Sequence, residues 1–331
     1  MYGWIRKGLA ILALLAGGWC SGAAWALPYS SMVVFGDSLA DSGNNALALG
    51  GAQTSVPLAG PSIPTNPYAN GRYSNGPVWT EHLAGSLGLS ATPSLAGGSN
   101  FAFGGARTGT AGAGQPPGLS DQLGMFLQAT QGVAASNALY VIEGGGNDAR
   151  DVMAAVLLGM DPTALISAYA SNVSKMIGTL HAAGAEHFLV WNTPDIGLTP
   201  FFRSLGPVAA GAGSYYSGLM NAALARALAL LSPDVTDDLR LFDVYGVLNQ
   251  IVAAPNAGGF ANVADACGAT PGCYNDPSVA GGYLFWDGIH PTTAAHAEMA
   301  RRALAELPEP GSILLVLVGG FALLAMRRRA G

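Results

Sequence analysis

The sequence predicts an α/β fold, a three-layer α/β/α sandwich in which helices cover both faces of a mainly parallel sheet. The first observation is alternation. Short β-rich runs at Ser31–Phe35, Ala138–Ile142, Phe188–Trp191 and Leu239–Phe242 are separated by longer stretches of helical pattern. The clearest of these are Pro77–Leu87, Ala164–Ala183, Tyr215–Leu231 and Thr292–Leu304. Strands that alternate with helices build βαβ units and a parallel sheet. The second observation is composition: of 331 residues half are hydrophobic, only 10% are charged and 47 are glycine. Such a chain buries a substantial core beneath a lightly charged, loop-rich surface. No repeat or long charge run divides residues 27–307, which therefore read as one domain. In such sheets ligands bind beyond the carboxyl ends of the strands.

Two terminal segments are set aside before the fold is considered. Arg6 and Lys7 precede an apolar run from Gly8 to Gly18, and Ala24-Trp25-Ala26 offers small residues at a cleavage site. That is the layout of a secretory signal peptide over residues 1–26, removed by signal peptidase. The run is shorter than the ~20 residues of a membrane span. Cys20 is no lipidation site, because Trp19 stands where a small residue is required. At the other end, Pro308-Glu309-Pro310 leads into the apolar run Ser312–Met326 and then Arg327, Arg328 and Arg329. An apolar segment closed by arginines reads as a transmembrane helix with its basic end in the cytoplasm.

The exported part retains two cysteines, Cys267 and Cys273, and oxidising conditions make a disulfide between them the default expectation. No metal-ligand spacing accompanies them. His82, His181, His187 and His296 lack partner histidines or paired carboxylates, so neither a metal nor another cofactor is expected. The net charge of −6 leaves no basic footprint for nucleic acid. The stretch Ala46–Asn75 is rich in Gly, Pro, Asn and Ser and reads as a long functional or surface loop; Gly109–Gly118 is a second such segment.

The first strand runs into Gly36-Asp37-Ser38-Leu39-Ala40-Asp41-Ser42-Gly43-Asn44. A serine where a strand hands over to a helix projects its hydroxyl at the sheet's carboxyl edge. There, helix N–H groups and dipole suit a developing oxyanion. Read alone, Asp37 or Ser38 serves equally well as a helix cap. The Gly-x-Ser-x-Gly elbow is absent, because position 40 is Ala. Gly144-Gly145-Gly146-Asn147-Asp148 follows the Ala138–Ile142 strand but lacks the spacing of a phosphate-binding loop.

Phe35–Asn44 resembles the first signature block of the SGNH (GDSL) hydrolase family, and three further blocks follow in order. Asn100-Phe101-Ala102-Phe103-Gly104-Gly105-Ala106 is similar to the second, whose glycine N–H faces the oxyanion; Gly105 is preferred to Gly104. Gly144–Asp148 resembles the third, in which Asn147 offers its side-chain amide. Asp287-Gly288-Ile289-His290-Pro291 resembles the last. The resemblance implies a flavodoxin-like central sheet and a triad of Ser38, His290 and Asp287, with an oxyanion hole of Ser38, Gly105 and Asn147. Pro291 is expected to open the following helix. Gly71–Glu81 resembles a segment of the lecithinase- and haemolysin-like subfamily, with Pro77 starting the next helix. Asp195, at a strand's carboxyl end, either lines the site or, as preferred, caps the next segment, and Trp286 either lines a pocket or packs the loop near Cys273. The tail resembles the PEP-CTERM sorting signal of exopolysaccharide-producing Gram-negative bacteria, which an exosortase removes.

The function implied is an exported serine esterase acting through an acyl-enzyme, at least transiently anchored in the inner membrane before release to the periplasm, surface or matrix. A short-chain carboxylic ester is the expected substrate class; the subfamily resemblance points to acyl lipids, including phospholipids, and a location beside exopolysaccharide to O-acetylated polysaccharide. An acyltransferase, or a silent surface-binding protein, is the alternative.

Overall fold

The computed structural model describes residues 29–50, 69–270 and 272–308. Expectations for the leader over residues 1–26, for Glu309, Pro310 and the apolar run after them, and for most of the 46–75 loop lie outside those residues. The start of that loop is helical rather than irregular, since Asn44–Ala48 forms helix α1. Among the described residues no helix is long and apolar enough to cross a membrane.

Four strands build the main sheet: β1 (Ser31–Phe35), β2 (Ala138–Ile142), β3 (His187–Trp191) and β4 (Leu239–Phe242). They pair in that order, all parallel. Each central strand is a continuous apolar run, as burial on both faces demands. The side-chain period of two sorts it: Val33, Phe35, Tyr140, Ile142, Phe188 and Val190 enter one core, and Met32, Val34, Leu139, Val141, Leu189 and Trp191 the other.

A further segment runs beside the free edge of β1. Val34 N donates to Ser99 O (3.0 Å), Phe101 N to Val34 O (2.7 Å) and Phe103 N to Gly36 O (3.1 Å), around a parallel bridge between Val34 and Asn100. With residues 99–103 counted, the spatial order is second, first, third, fourth, fifth, which is the flavodoxin-like order. The segment escaped the strand pattern because glycines and serines flank a short aromatic run.

One face is covered by α3 (Leu119–Ala129), α4 (Gly146–Leu157), α5 (Thr163–Ala182) and α7 (Pro207–Leu228); α6 (Pro200–Ser204) is a single turn between them. Helix α5 buries Tyr169, Val173, Met176, Ile177 and Leu180, the stripe that a helical period places on one side. The opposite face carries α2 (Trp79–Ser86), α9 (Val244–Ala253) and α11 (Thr293–Glu306); α8 (Pro233–Thr236) precedes β4 and packs Val235 into the first core, and α10 (Pro277–Ala280) lies in the loop before β6 (Tyr283–Phe285). Trp79 of α2 stacks on Trp191 of β3 with ring centroids 4.1 Å apart.

Four helix starts differ from expectation, α5 by beginning one residue early at Thr163. Helix α7 begins at Pro207, eight residues before Tyr215, with proline at its first turn. Its early residues are small because the helix backbone approaches another chain segment: a Cβ on Gly213 would lie 3.0 Å from Gly197 Cα. Helix α2 starts at Trp79, not Pro77, since Glu81 folds back to accept from Val78 N (3.0 Å). Helix α11 starts at Thr293, because the Thr292 hydroxyl caps it by accepting from Ala295 N (3.2 Å). Pro291 is instead bridged to Phe285 of β6 (Tyr283–Phe285), which pairs in parallel with β5 (Asn262–Ala266) in a small second sheet.

Candidate active site

Directly after β1 the chain makes one tight turn. Ala40 N and Asp41 N both donate to Asp37 O (3.1 and 2.9 Å), and Leu39 N donates to Asp37 Oδ1 (3.0 Å). Ser38 sits in this turn, 8% exposed. The helix expected behind it begins only at Asn44, so Ser38 sits in a turn and not at a helix N-terminus. The reason is Asp41. Its carboxylate accepts from Gly43, Asn44 and Asn45 N (2.8, 2.7 and 3.2 Å), which caps α1 and moves helix nucleation downstream. The second oxygen also takes Gly104 N at 2.9 Å. Burial nevertheless pushes Asp41 up to about 6.

Asp287-Gly288-Ile289-His290 follows β6 and forms a turn around its own aspartate. Asp287 Oδ1 accepts from Ile289 N and His290 N, both at 2.7 Å, while Oδ2 lies 2.6 Å from His290 Nδ1. An ionised carboxylate only accepts, so Nδ1 carries the proton and Nε2 faces outward as the acceptor. The Ser38 hydroxyl donates to that Nε2 at 2.8 Å. Ser38, His290 and Asp287, separated by up to 252 residues, thus form one hydrogen-bonded chain. The Gly71–Glu81 segment braces it from outside. Ser74 Oγ donates to Pro291 O (2.9 Å), Thr293 N donates to Asn75 Oδ1 (2.8 Å), and the Tyr73 ring packs 5.4 Å from the His290 ring.

The other expected donors lie on segments tied to the Ser38 turn, through Phe103 N donating to Gly36 O and Asn147 to Asp37 Oδ2. Gly104 and Gly105 end the 99–103 segment, which Asn44 holds by donating to Asn100 O and Ala102 O (2.8 and 2.9 Å). Gly104 N is occupied by Asp41, whereas the N–H groups of Ser38 and Gly105 have no acceptor among the described hydrogen bonds. That contrast favours Gly105 over Gly104. Gly105 has φ +85°, a left-handed conformation that glycine adopts without steric cost. Asn147 is at the start of α4, entered through Gly145 at φ +109°. A Cβ there would strike Thr193 Oγ1 at 2.6 Å, so the glycine serves the tight strand-to-helix turn. Both Asn147 amide hydrogens are engaged, one on Ala106 O (3.0 Å) and the other, more loosely, on Asp37 Oδ2 (3.3 Å).

Behind these groups lies an acid pair that sequence reasoning missed. Glu143, at the end of β2, accepts from Asp37 N at 3.0 Å, and both carboxyl groups are buried. Burial, and then the charge of Asp37, hold the Glu143 carboxyl well above the usual carboxylate range. Burial also raises Asp37. The only sequence sign was a carboxylate at the end of an apolar strand.

An apolar hollow opens beside Asn147, walled by Leu39, Ile196, Phe202, Leu248, Ile289 and Met299 among others. Asp195 caps the short turn Ile196–Leu198 through Gly197 N (3.1 Å), as expected. Cys267 and Cys273 form a disulfide, and Trp286 packs with both. His296 is fully buried and burial lowers it to about 3, so it is neutral; its Nδ1 accepts from Trp79 N at 3.2 Å. Among the described residues no group of three or more His, Cys, Asp or Glu is placed to hold a metal.

A model of the GDSL-like lipase/acylhydrolase family matches residues 32–303, a span that contains every one of these groups. The chain belongs to this family. Membership makes the GDSL-like hydrolase a carboxylic ester hydrolase. It is 31% identical to the uncharacterized protein in the trpE-trpG intergenic region of Pseudomonas putida, over 94% of this chain and 54% of that one. A GDSL esterase/lipase of Arabidopsis thaliana is 30% identical over 80% of this chain and 82% of the relative. Esterase EstA of Pseudomonas aeruginosa is 29% identical over 87% and 48%. The chain thus spans about half the length of the two bacterial relatives. Among solved structures, an extracellular lipase from Streptomyces rimosus is similar at a TM-score of 0.42 and 17% identity, covering 84% of this chain and 99% of that one.

Proposed function

We propose that this GDSL-like hydrolase cleaves acyl esters through a covalent intermediate on Ser38. The observation that carries the reading is the hydrogen-bonded chain Ser38–His290–Asp287 beside an apolar hollow. His290 Nε2 takes the hydroxyl proton as Oγ attacks the carbonyl, and Asp287 holds the resulting imidazolium. The N–H groups of Ser38 and Gly105 stabilise the oxyanion. Asn147 joins them by turning its loosely held hydrogen from Asp37. Protonated His290 then delivers the proton to the leaving alcohol, and water activated by the same nitrogen releases the acid.

The hollow favours an acyl chain of several carbons over acetyl, and so an acyl lipid over an O-acetylated glycan. Its walls come from side chains as far apart as Leu39 and Met299 and offer little for a sugar to hydrogen-bond. Export is part of the same reading. Arg6-Lys7 before an apolar run has a leader's layout, and the Cys267–Cys273 disulfide suits an oxidising compartment. Signal peptidase, and an exosortase acting at Pro308-Glu309-Pro310, are the processing enzymes this reading requires. Intact mass of the released protein tests both cuts.

The test of the chemistry is hydrolysis of p-nitrophenyl acetate, butyrate, octanoate and decanoate by the full chain and by Ser38→Ala. Turnover that vanishes in the variant and rises with chain length supports the reading. Serine-independent turnover overturns the mechanism, and a preference for acetate overturns the acyl-lipid assignment.

A further inference from the structure

Arg150 lies one helical turn beyond Asn147 on α4 and reaches back to it, with Nη1 3.4 Å from Asn147 Oδ1. Among the described residues this long contact is the guanidinium's one hydrogen bond, and no ion pair includes it. Its neighbour is different. Arg107 forms a fork on Asp151 with two bonds of 2.9 Å and donates to Gly105 O at 3.0 Å. The nearby carboxylates are engaged elsewhere: Asp151 by Arg107, Asp287 by His290, Asp37 by Leu39 N and Asn147.

A half-buried guanidinium without a direct ion pair is unfavourable; burial, and then the like charge of Arg107, lower its hold on the proton, while Asp151, Asp37 and Asp287 act the other way without touching it. An incoming carboxylate or phosphate can complete such a group through strong, bidentate charge-assisted hydrogen bonds. Its position fits that role. Arg150 and Phe202 line both the apolar hollow and an adjoining open groove bordered by Arg107, its partner Asp151, Leu157, Phe201 and Leu205. The charge therefore marks the junction between an acyl-binding branch and a branch open to solvent.

We propose that Arg150 reads a negative charge on the alcohol side of the substrate, a phosphate or carboxylate whose two oxygens meet its planar fork. The ester then spans both branches, with its acyl chain in the hollow and its anionic group in the groove. This rests on the esterase reading at Ser38. It adds a specificity that neutral ester substrates do not reveal.

The experiment has two arms, both on the full chain. In the first, kcat/KM is measured for dibutyryl glycerol phosphate and for tributyrin with the parent, Arg150→Gln and Arg150→Lys. The ratio of phosphate ester to tributyrin falls about 10–100-fold in Arg150→Gln, the range for a lost charge-assisted hydrogen bond, and the loss sits in KM. Arg150→Lys, which keeps the charge without the fork, falls between. An unchanged ratio, with both substrates losing kcat alike, assigns Arg150 to Asn147 and overturns the proposal.

In the second arm, Ser38→Ala is titrated calorimetrically with hexyl phosphate, monohexyl succinate, hexanol and inorganic phosphate. Hexyl phosphate or the succinate binds more tightly than hexanol, and Arg150→Gln in that background removes the difference. Which of the two binds better separates phosphate from carboxylate. Inorganic phosphate binding as tightly as hexyl phosphate denies the acyl branch and overturns the proposal, as does equal binding of hexanol. Arg150-dependent anion binding without turnover of any ester leaves the anion site standing and sinks the esterase reading instead.

Discussion

Asp287 holds His290 twice with one carboxylate: Oδ1 accepts the histidine's own backbone N–H at 2.7 Å, and Oδ2 lies 2.6 Å from its Nδ1. The bond that shapes the turn and the bond that sets the tautomer come from the same group. The side chain and backbone of His290 are therefore oriented together.

Asp287→Asn separates the two roles. The amide oxygen still accepts from the backbone of Ile289 and His290, but its NH₂ now faces Nδ1 and favours the wrong tautomer. The expected result is a fall in kcat of about 10⁴ with a small change in melting temperature. Stopped ester assays and thermal melts on the same preparation check this. A loss under tenfold would remove Asp287 from the mechanism.

Asn147→Ala removes a donor to the oxyanion and a partner of Asp37 and Ala106. We expect kcat to drop by about 10²–10³, with KM little changed, because the lost bond strengthens only as the carbonyl gains charge. Steady-state kinetics on p-nitrophenyl butyrate decide it. Equal damage to KM would mean that Asn147 positions the ground state instead.

Cys267 and Cys273 close a loop six residues apart in sequence, and Gly268 N from that loop donates to Trp286 O at 2.8 Å, beside Asp287. Replacing both by Ala restores freedom to the unfolded chain and costs about 2 kcal/mol on the loop-closure model. Because the disulfide packs on Trp286, the double variant also loses activity before it melts. Urea titration together with activity against temperature measures both effects. Coincident activity and unfolding curves would sever the link to the triad.

Burial raises Asp148 to about 6 from an ordinary value of 3.8, although Thr108 donates to it through its hydroxyl at 2.7 Å and through its N–H. The folded protein therefore binds this proton at a pH where the unfolded chain has released it. Its contribution to stability is fully present below about 4 and is lost as pH rises through about 6. Asp148→Asn lacks that loss. The stability of the variant relative to the parent should grow from pH 4.5 to 7.5 in denaturant titrations. A constant difference would show that Asp148 titrates normally.

Much of this was legible without coordinates. The apolar runs at Val33, Val141 and Val190 announced buried parallel strands because a sheet covered on both faces admits few polar side chains. The Asp-x-x-His turn was legible because its bonds are local. Helix α7 was misread at its start because close packing on Gly197 put glycine and alanine where a hydrophobic stripe was sought. Ser38 lost its expected helix because Asp41, three residues on, captured the cap. The 99–103 segment was invisible as a strand because its ladder partner, β1, lies about 65 residues earlier, and cross-strand pairing leaves no local period.

By itself the sequence determined the alternation of strands and helices and the identity of the groups at the site, since both are written in residue type and short spacing. Tertiary structure alone decided that Gly104 N is taken by Asp41, that Glu143 lies against Asp37, and that Arg150 is left without a direct ion pair, among the described residues, between two hollows. Those outcomes depend on which polar groups meet after chain segments far apart in sequence have packed. Once water is excluded, each group's charge and freedom are set by its neighbours in space and not by its neighbours in the chain.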